Sequence, residues 1–86
     1  MFEWDDGNLD HIAEHGIDDW EAEEAMQDRR RIPFPAVYGG RRGIVGRTRD
    51  GRLLVVIFEQ AGRALRVVTA YDASAREERA YRRAQR

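Results

Sequence analysis

The sequence predicts an α+β domain: a meander of three or four antiparallel strands, with two helices before it and one after. Three observations carry that reading. Apolar residues recur at helical spacing through the first 28 positions and at strand spacing beyond them. An unbroken apolar run, Leu53 to Phe58, lies between two turn signals. Two capping boxes, Asp18 with Glu21 and Ser74 with Glu77, mark helix starts on either side of the strand region.

Taken in order, Phe2-Glu3-Trp4 reads as a short strand, and Asp5 or Asp6 caps the first helix. Leu9, Ile12 and Ala13 form its apolar stripe, and Gly16 sits where a left-handed residue ends a helix. The second helix opens at Asp18, with Ile17 as a hydrophobic staple and Ala22, Ala25 and Met26 on the inner side; it ends near Asp28. Pro33 and Pro35 restrict Ile32–Val37 to an edge strand at best. Gly39-Gly40 mark a turn, and Arg42–Arg47 alternates around Ile44 and Val45. Arg49-Asp50-Gly51 is a hairpin signal. Leu53–Phe58 then reads as a central strand covered on both faces. A turn at Gln60–Gly62 leads into Ala64–Ala70, and the last helix follows Ser74. The expected order is β-α-α-β-β-β(-β)-α, two layers over one core.

Eighty-six residues suit one domain, residues 1–86, because so short a chain has apolar side chains for a single core. Without cysteine, neither disulfides nor thiolate metal sites can staple it. No apolar run approaches the roughly 20 residues of a membrane span. The first residues lack the basic-then-apolar pattern of a signal peptide, so the expected location is cytoplasmic. Net charge is −1, but the charge is sharply divided. Residues 1–28 hold 11 carboxylates and no arginine or lysine; residues 29–86 hold 15 arginines against 5 carboxylates, a net of +10. Such a split predicts internal pairing or a polarised surface. Arginine as the sole cation suits bidentate phosphate recognition, although GC-rich coding gives the same usage.

Several phrases together resemble the BrnT-like toxins. They are Phe2-Glu3-Trp4-Asp5, then Asn8 followed by His15-Gly16, then Gly46-Arg47-Thr48. Gly51-Arg52-Leu53-Leu54-Val55-Val56 and Arg66-Val67-Val68-Thr69-Ala70, before an Arg/Glu-rich helix, complete the set. The resemblance implies a RelE-like fold, metal-independent RNA cleavage as the toxin of a type II toxin–antitoxin pair, and a ribbon-helix-helix antitoxin as partner. It implies no cofactor and leaves a homo-oligomer open. Two positions depart from the family's habit. Glu14 stands where lysine is common, and Tyr71 where arginine is common. Loss of two cations near a polyanionic substrate implies weakened activity. The alternative is a non-enzymatic protein-interaction module that keeps the toxin fold.

Metal-free RNA cleavage needs a base for the 2′-hydroxyl and donors for the charged phosphorane. His15, Arg47, Glu59, Arg66 and Tyr71 are the catalytic candidates, with Arg42, Arg76 and Arg79 as RNA-binding residues. Each has a plainer reading. His15 suits the carbonyl end of the first helix as a cation. His11 and His15, four apart, share a helix face with Asn8, but no third metal ligand is suggested by spacing. Strict alternation puts Arg66 on one face with Val68 and Ala70, either snorkelling or holding an anion. Glu59 is a base or an ion-pair partner of an arginine. Tyr71 donates to phosphate, stacks on a base or caps the sheet. Trp4 and Trp20 read as core anchors.

Overall fold

The computed structural model describes residues 1–35 and 39–86. Its elements are β1 (Phe2–Glu3), α1 (Asp6–Ala13), α2 (Asp19–Met26), β2 (Ile32–Phe34), β3 (Arg42–Arg47), β4 (Leu53–Ala61), β5 (Ala64–Asp72) and α3 (Ala75–Ala84). The sheet order is β1-β5-β4-β3-β2. β2 to β5 form the expected antiparallel meander. The strand count is a correction: β1 joins the sheet too, parallel to β5, giving five strands and a mixed sheet. A parallel partner must come from far along the chain, and no local turn signal announces it. Of the expected edge strand at 32–37, Ile32–Phe34 pairs with β3; Ala36 and Val37 lie outside the described residues.

Local chemistry sets the helix ends. Asp5 caps α1, accepting from the Asn8 backbone at 3.1 Å while the Asn8 side chain accepts from the Asp5 backbone at 2.8 Å. Gly16, at φ 72°, ends the α1 turn in the left-handed region. Asp18 with Glu21, and Ser74 with Glu77, form the two expected boxes.

β4 is the central strand, and its whole apolar run is buried. Leu54, Val56 and Phe58 face α1 and α2, where Ile12, Ile17 and Met26 pack on them. Leu53, Val55 and Ile57 face the other way, toward Tyr81 of α3. On the first face α2 lies so close to β3 that a Cβ at Gly46 would collide with the Ala25 carbonyl. Trp4 packs at the edge of this core, donating from Nε1 to Glu23 at 2.7 Å. Trp20 does not: it is 48% exposed. On a 100° helical wheel it stands roughly 160° from Ala22, whose side faces the sheet.

A second correction concerns β5. Ile57 pairs with Thr69 and Phe58 with Val67, so Val68 is an extra, bulged residue. The bulge reverses the alternation. Arg66 and Val68 still share a side, but Ala70 joins the α1–α2 core while Tyr71 packs with Val68 on the opposite one.

Candidate active site along the α1–β5 seam

α1 lies against the outer side of β5, anchored by Asn8. Its buried side-chain amide donates to the carbonyls of Glu3 at 3.0 Å and Val67 at 2.9 Å, tying helix, β1 and β5 together. With Asn8 and Ile12 buried, Gly7 and His11, four apart, form one flank of the helix, and His15, in the turn past its end, continues that line beside His11. At one end of that flank a Cβ on Gly7 would lie 3.9 Å from Arg66 Nη2. At the other, the His15 ring sits 5.9 Å from the Tyr71 ring, and His11 sits between the two ends, 6.2 Å from His15. The flank therefore follows β5 from Arg66 to Tyr71, a span of about 15 Å at 3.3 Å per residue. Both imidazoles are exposed. Tyr71 is half-buried; burial pushes its hydroxyl pKa up, and the Glu77 charge adds to the rise.

Arg66 is held rather than free. Its Nη1 contacts Asp5 Oδ2 at 2.6 Å and Glu3 Oε2 at 3.5 Å, and Nη2 reaches Asp5 Oδ1 at 3.3 Å. The Arg66 hydrogen bond, joined by the Asn8 N–H, holds the Asp5 carboxyl below its usual range, and Asp5 in turn raises Arg66. Asp5 thus caps α1 and aims the guanidinium at once.

The remaining candidates lie elsewhere. Arg47 ends β3 with its guanidinium 5.5 Å from the Tyr81 ring. Tyr81 donates to Asp28 Oδ2 at 2.6 Å, and the Arg47 and Arg30 N–H groups donate to the same carboxylate at 2.9 and 3.0 Å. Burial pushes Asp28 up, but these three donors outweigh it and leave its pKa lowered. Glu59 stands across from Arg66 in the sheet register and pairs with Arg41 at 3.4 Å. Arg42 lies over the Phe58 ring at 5.4 Å. Arg76 and Arg79 are exposed on α3, Arg76 on a groove of about 300 Å³ between β2 and α3, lined by Ile32, Phe34 and Val45. So the structure brings His15, Tyr71 and Arg66 onto one seam, leaves Glu59 across from Arg66 but paired with Arg41, and sets Arg47, Arg42, Arg76 and Arg79 apart from it. His11 was read only as half of a metal pair; the spacing Gly7, His11, His15 was the signal that it shares the seam. Among the described residues no group of three or more His, Cys, Asp or Glu side chains is placed to hold a metal ion.

Part of the charge division is used within the molecule. Among the described residues, Arg66 with Asp5 and Glu3, Arg52 with Glu21 at 3.0 Å, and Arg49 with Glu24 at 3.8 Å join the basic part to the acidic one. Arg52 also pairs with Asp72 at 2.8 Å and donates to the Gly16 carbonyl, pinning the α1–α2 turn beside His15.

Residues 4–77 match the family described as "Ribonuclease toxin, BrnT, of type II toxin-antitoxin system". The chain belongs to the BrnT toxin family. A solved relative agrees: the crystal structure of the Brucella abortus ribonuclease toxin BrnT superposes with a TM-score of 0.63 at 25% identity, covering 86% of this chain and 94% of that one. No curated protein sequence matches. The BrnT match runs from Trp4 to Glu77, so it takes in the whole α1–β5 seam and the start of α3. Among the described residues of this BrnT chain no helix is long and apolar enough to cross a membrane.

Proposed function

We propose that this chain is the toxin of a type II pair, a RelE-like endoribonuclease that cleaves cytoplasmic RNA without a metal and is silenced by a ribbon-helix-helix antitoxin. The observation that carries the proposal is the seam itself: in a chain of this family, an exposed imidazole stands 5.9 Å from a tyrosine, at one end of a seam whose other end holds a positioned arginine. His15 takes the 2′-hydroxyl proton, since imidazole is the side chain that exchanges protons near neutrality. The Tyr71 hydroxyl donates to the scissile phosphate as charge builds on it, and Arg66, at the far end of the flank, holds a neighbouring phosphate of the strand. Glu14 and Tyr71 in place of two cations weaken phosphate attraction, so cleavage is slow and salt-sensitive.

One observation favours the rival reading, an interaction module without catalysis. Arg66 already faces two carboxylates, and RNA must compete with them. Purified wild type and Arg66→Ala, incubated with mixed RNA and a chelator at low and physiological salt, separate the two. Arg66→Ala weakens RNA binding, so it lowers cleavage at subsaturating RNA and relieves growth inhibition. An inert wild type that is harmless when expressed alone would establish the module.

A further inference from the structure

We propose that His11 is the second acid–base group of the cleavage site, protonating the 5′-oxygen of the RNA strand whose 2′-hydroxyl His15 deprotonates. The proposal rests on the ribonuclease reading above and adds the group that reading lacks. Transesterification moves two protons. The 2′-oxygen loses one as it bonds to phosphorus, and the 5′-oxygen gains one as its bond to phosphorus breaks. The products are a 2′,3′-cyclic phosphate and a free 5′-hydroxyl. The two oxygens lie on opposite sides of the phosphorus, so a single imidazole cannot stay within the required 2.6–3.2 Å or so of both.

Two imidazoles stand side by side here. Their centroids are 6.2 Å apart with planes tilted by 42°, a spacing that brackets one phosphate. Both are exposed. Every ion pair among the described residues is made by an arginine, so neither ring is engaged by a carboxylate. The described ring neighbours of His15 are His11 and Tyr71. Metal binding, the other use of such a pair, finds no third ligand among the described residues.

Position assigns the roles. His11 lies in the last turn of α1, farther along the flank from Tyr71, which leaves it for the departing 5′-oxygen. His15 lies past the helix beside Tyr71, whose hydroxyl is a donor for the phosphate. The other charged groups around the pair are Asp10 and Glu14 on the same stretch of chain, Arg66 at the far end of the flank, and Arg52 beyond Gly16 with Glu21 and Asp72 attached.

The test uses two forms of one short RNA, one with the natural 5′-oxygen at the scissile phosphate and one with sulfur in its place. A thiolate leaves without a proton. On the oxygen substrate His11→Ala loses about 10²–10³-fold. On the sulfur substrate it recovers to near the wild-type rate, while His15→Ala stays impaired on both. The bell-shaped pH profile of the wild type loses its falling alkaline limb in His11→Ala. His11→Asn, which keeps a hydrogen-bond donor but not the proton transfer, behaves as His11→Ala does. Wild-type rates in His11→Ala, or equal losses on both substrates, overturn the role of His11 and leave the ribonuclease standing. An inert wild type overturns both.

Discussion

Two clusters in this molecule combine an arginine, a tyrosine and a carboxylate, and they are built to opposite ends. In the Asp28 cluster the tyrosine and the carboxylate are both engaged. Tyr81 is 2% exposed, its hydroxyl donates to Asp28, and the same carboxylate takes two backbone N–H groups. The Arg47 guanidinium lies over the tyrosine ring. Along the α1–β5 seam the reverse holds. His11, His15 and Tyr71 stand in series, the imidazoles exposed and without an ion pair among the described residues, and only Arg66 is tied down. The comparison teaches that residue type does not make a site. Groups whose hydrogen-bonding capacity is saturated inside the protein stabilise it; groups left unsaturated at the surface are the ones available to a substrate.

The largest effect expected from this contrast is on the seam. His15→Ala lowers RNA cleavage by about 10²–10⁴-fold, the range for a lost general base, while the thermal midpoint stays where it is. Exposed residues away from caps and cores change stability by about 0.5 kcal/mol or less. A variant that cleaves normally, or one that unfolds, would erase the distinction between the two clusters.

Tyr81→Phe is the mirror experiment. It removes a hydrogen bond to a carboxylate at the sole buried position of α3, so stability drops by about 1–3 kcal/mol while cleavage is unchanged. Its pH dependence sharpens the point. Burial first, then the hydrogen bond to Asp28, raises the Tyr81 hydroxyl to about 12, above the ordinary value of 10. A proton held more tightly in the folded state contributes stability in full below pH 10 and loses it as pH rises from 10 toward 12. Wild type and Tyr81→Phe should therefore differ at neutral pH and converge in that alkaline window. Urea unfolding at a series of pH values reads the convergence; parallel curves would remove Tyr81 from the account.

What could be read from the sequence follows the range of the interactions. Asp18 with Glu21, Ser74 with Glu77, Gly16 and Leu53–Phe58 are local signals, and each forms the element it announces. β1 could be recognised as a strand, but its parallel partner is some sixty residues away, and no local pattern specifies such a pairing. The bulge at Val68 was invisible for a related reason. Alternation assumes an unbroken register, and one extra residue sends Ala70 to the other face. For the seam, residue chemistry singled out His15, Arg66 and Tyr71, but which of them meet depends on α1 lying against β5. Asn8, joining Glu3 and Val67, and the buried Ile12 together set that placement. Arg47 and Glu59 carried the same chemical promise as Arg66, and only packing separates them from it.

Arg47 gives the smallest effect and the finest test of the comparison. Its guanidinium is exposed although it stacks on Tyr81, and its hollow also includes Arg82, Asp72 and Glu78. An exposed cation on the path of an RNA strand attracts phosphate without touching the reacting atoms, and its contribution is the release of a counterion. Arg47→Ala should then weaken RNA binding alike for all sequences, and flatten the plot of log affinity against log salt by about 0.7, the value for one contact to a single strand. Loss of the stack on Tyr81 costs about 0.5–1 kcal/mol of stability. The rate at saturating RNA and the pH profile should not move, because proton transfer belongs to the seam some distance away. A changed pH profile, or a fall in the saturated rate comparable to that of His15→Ala, would mean that the Asp28 cluster reaches the scissile phosphate. The two clusters would then be halves of one site, with RNA spanning from α1 across the end of the sheet to β3.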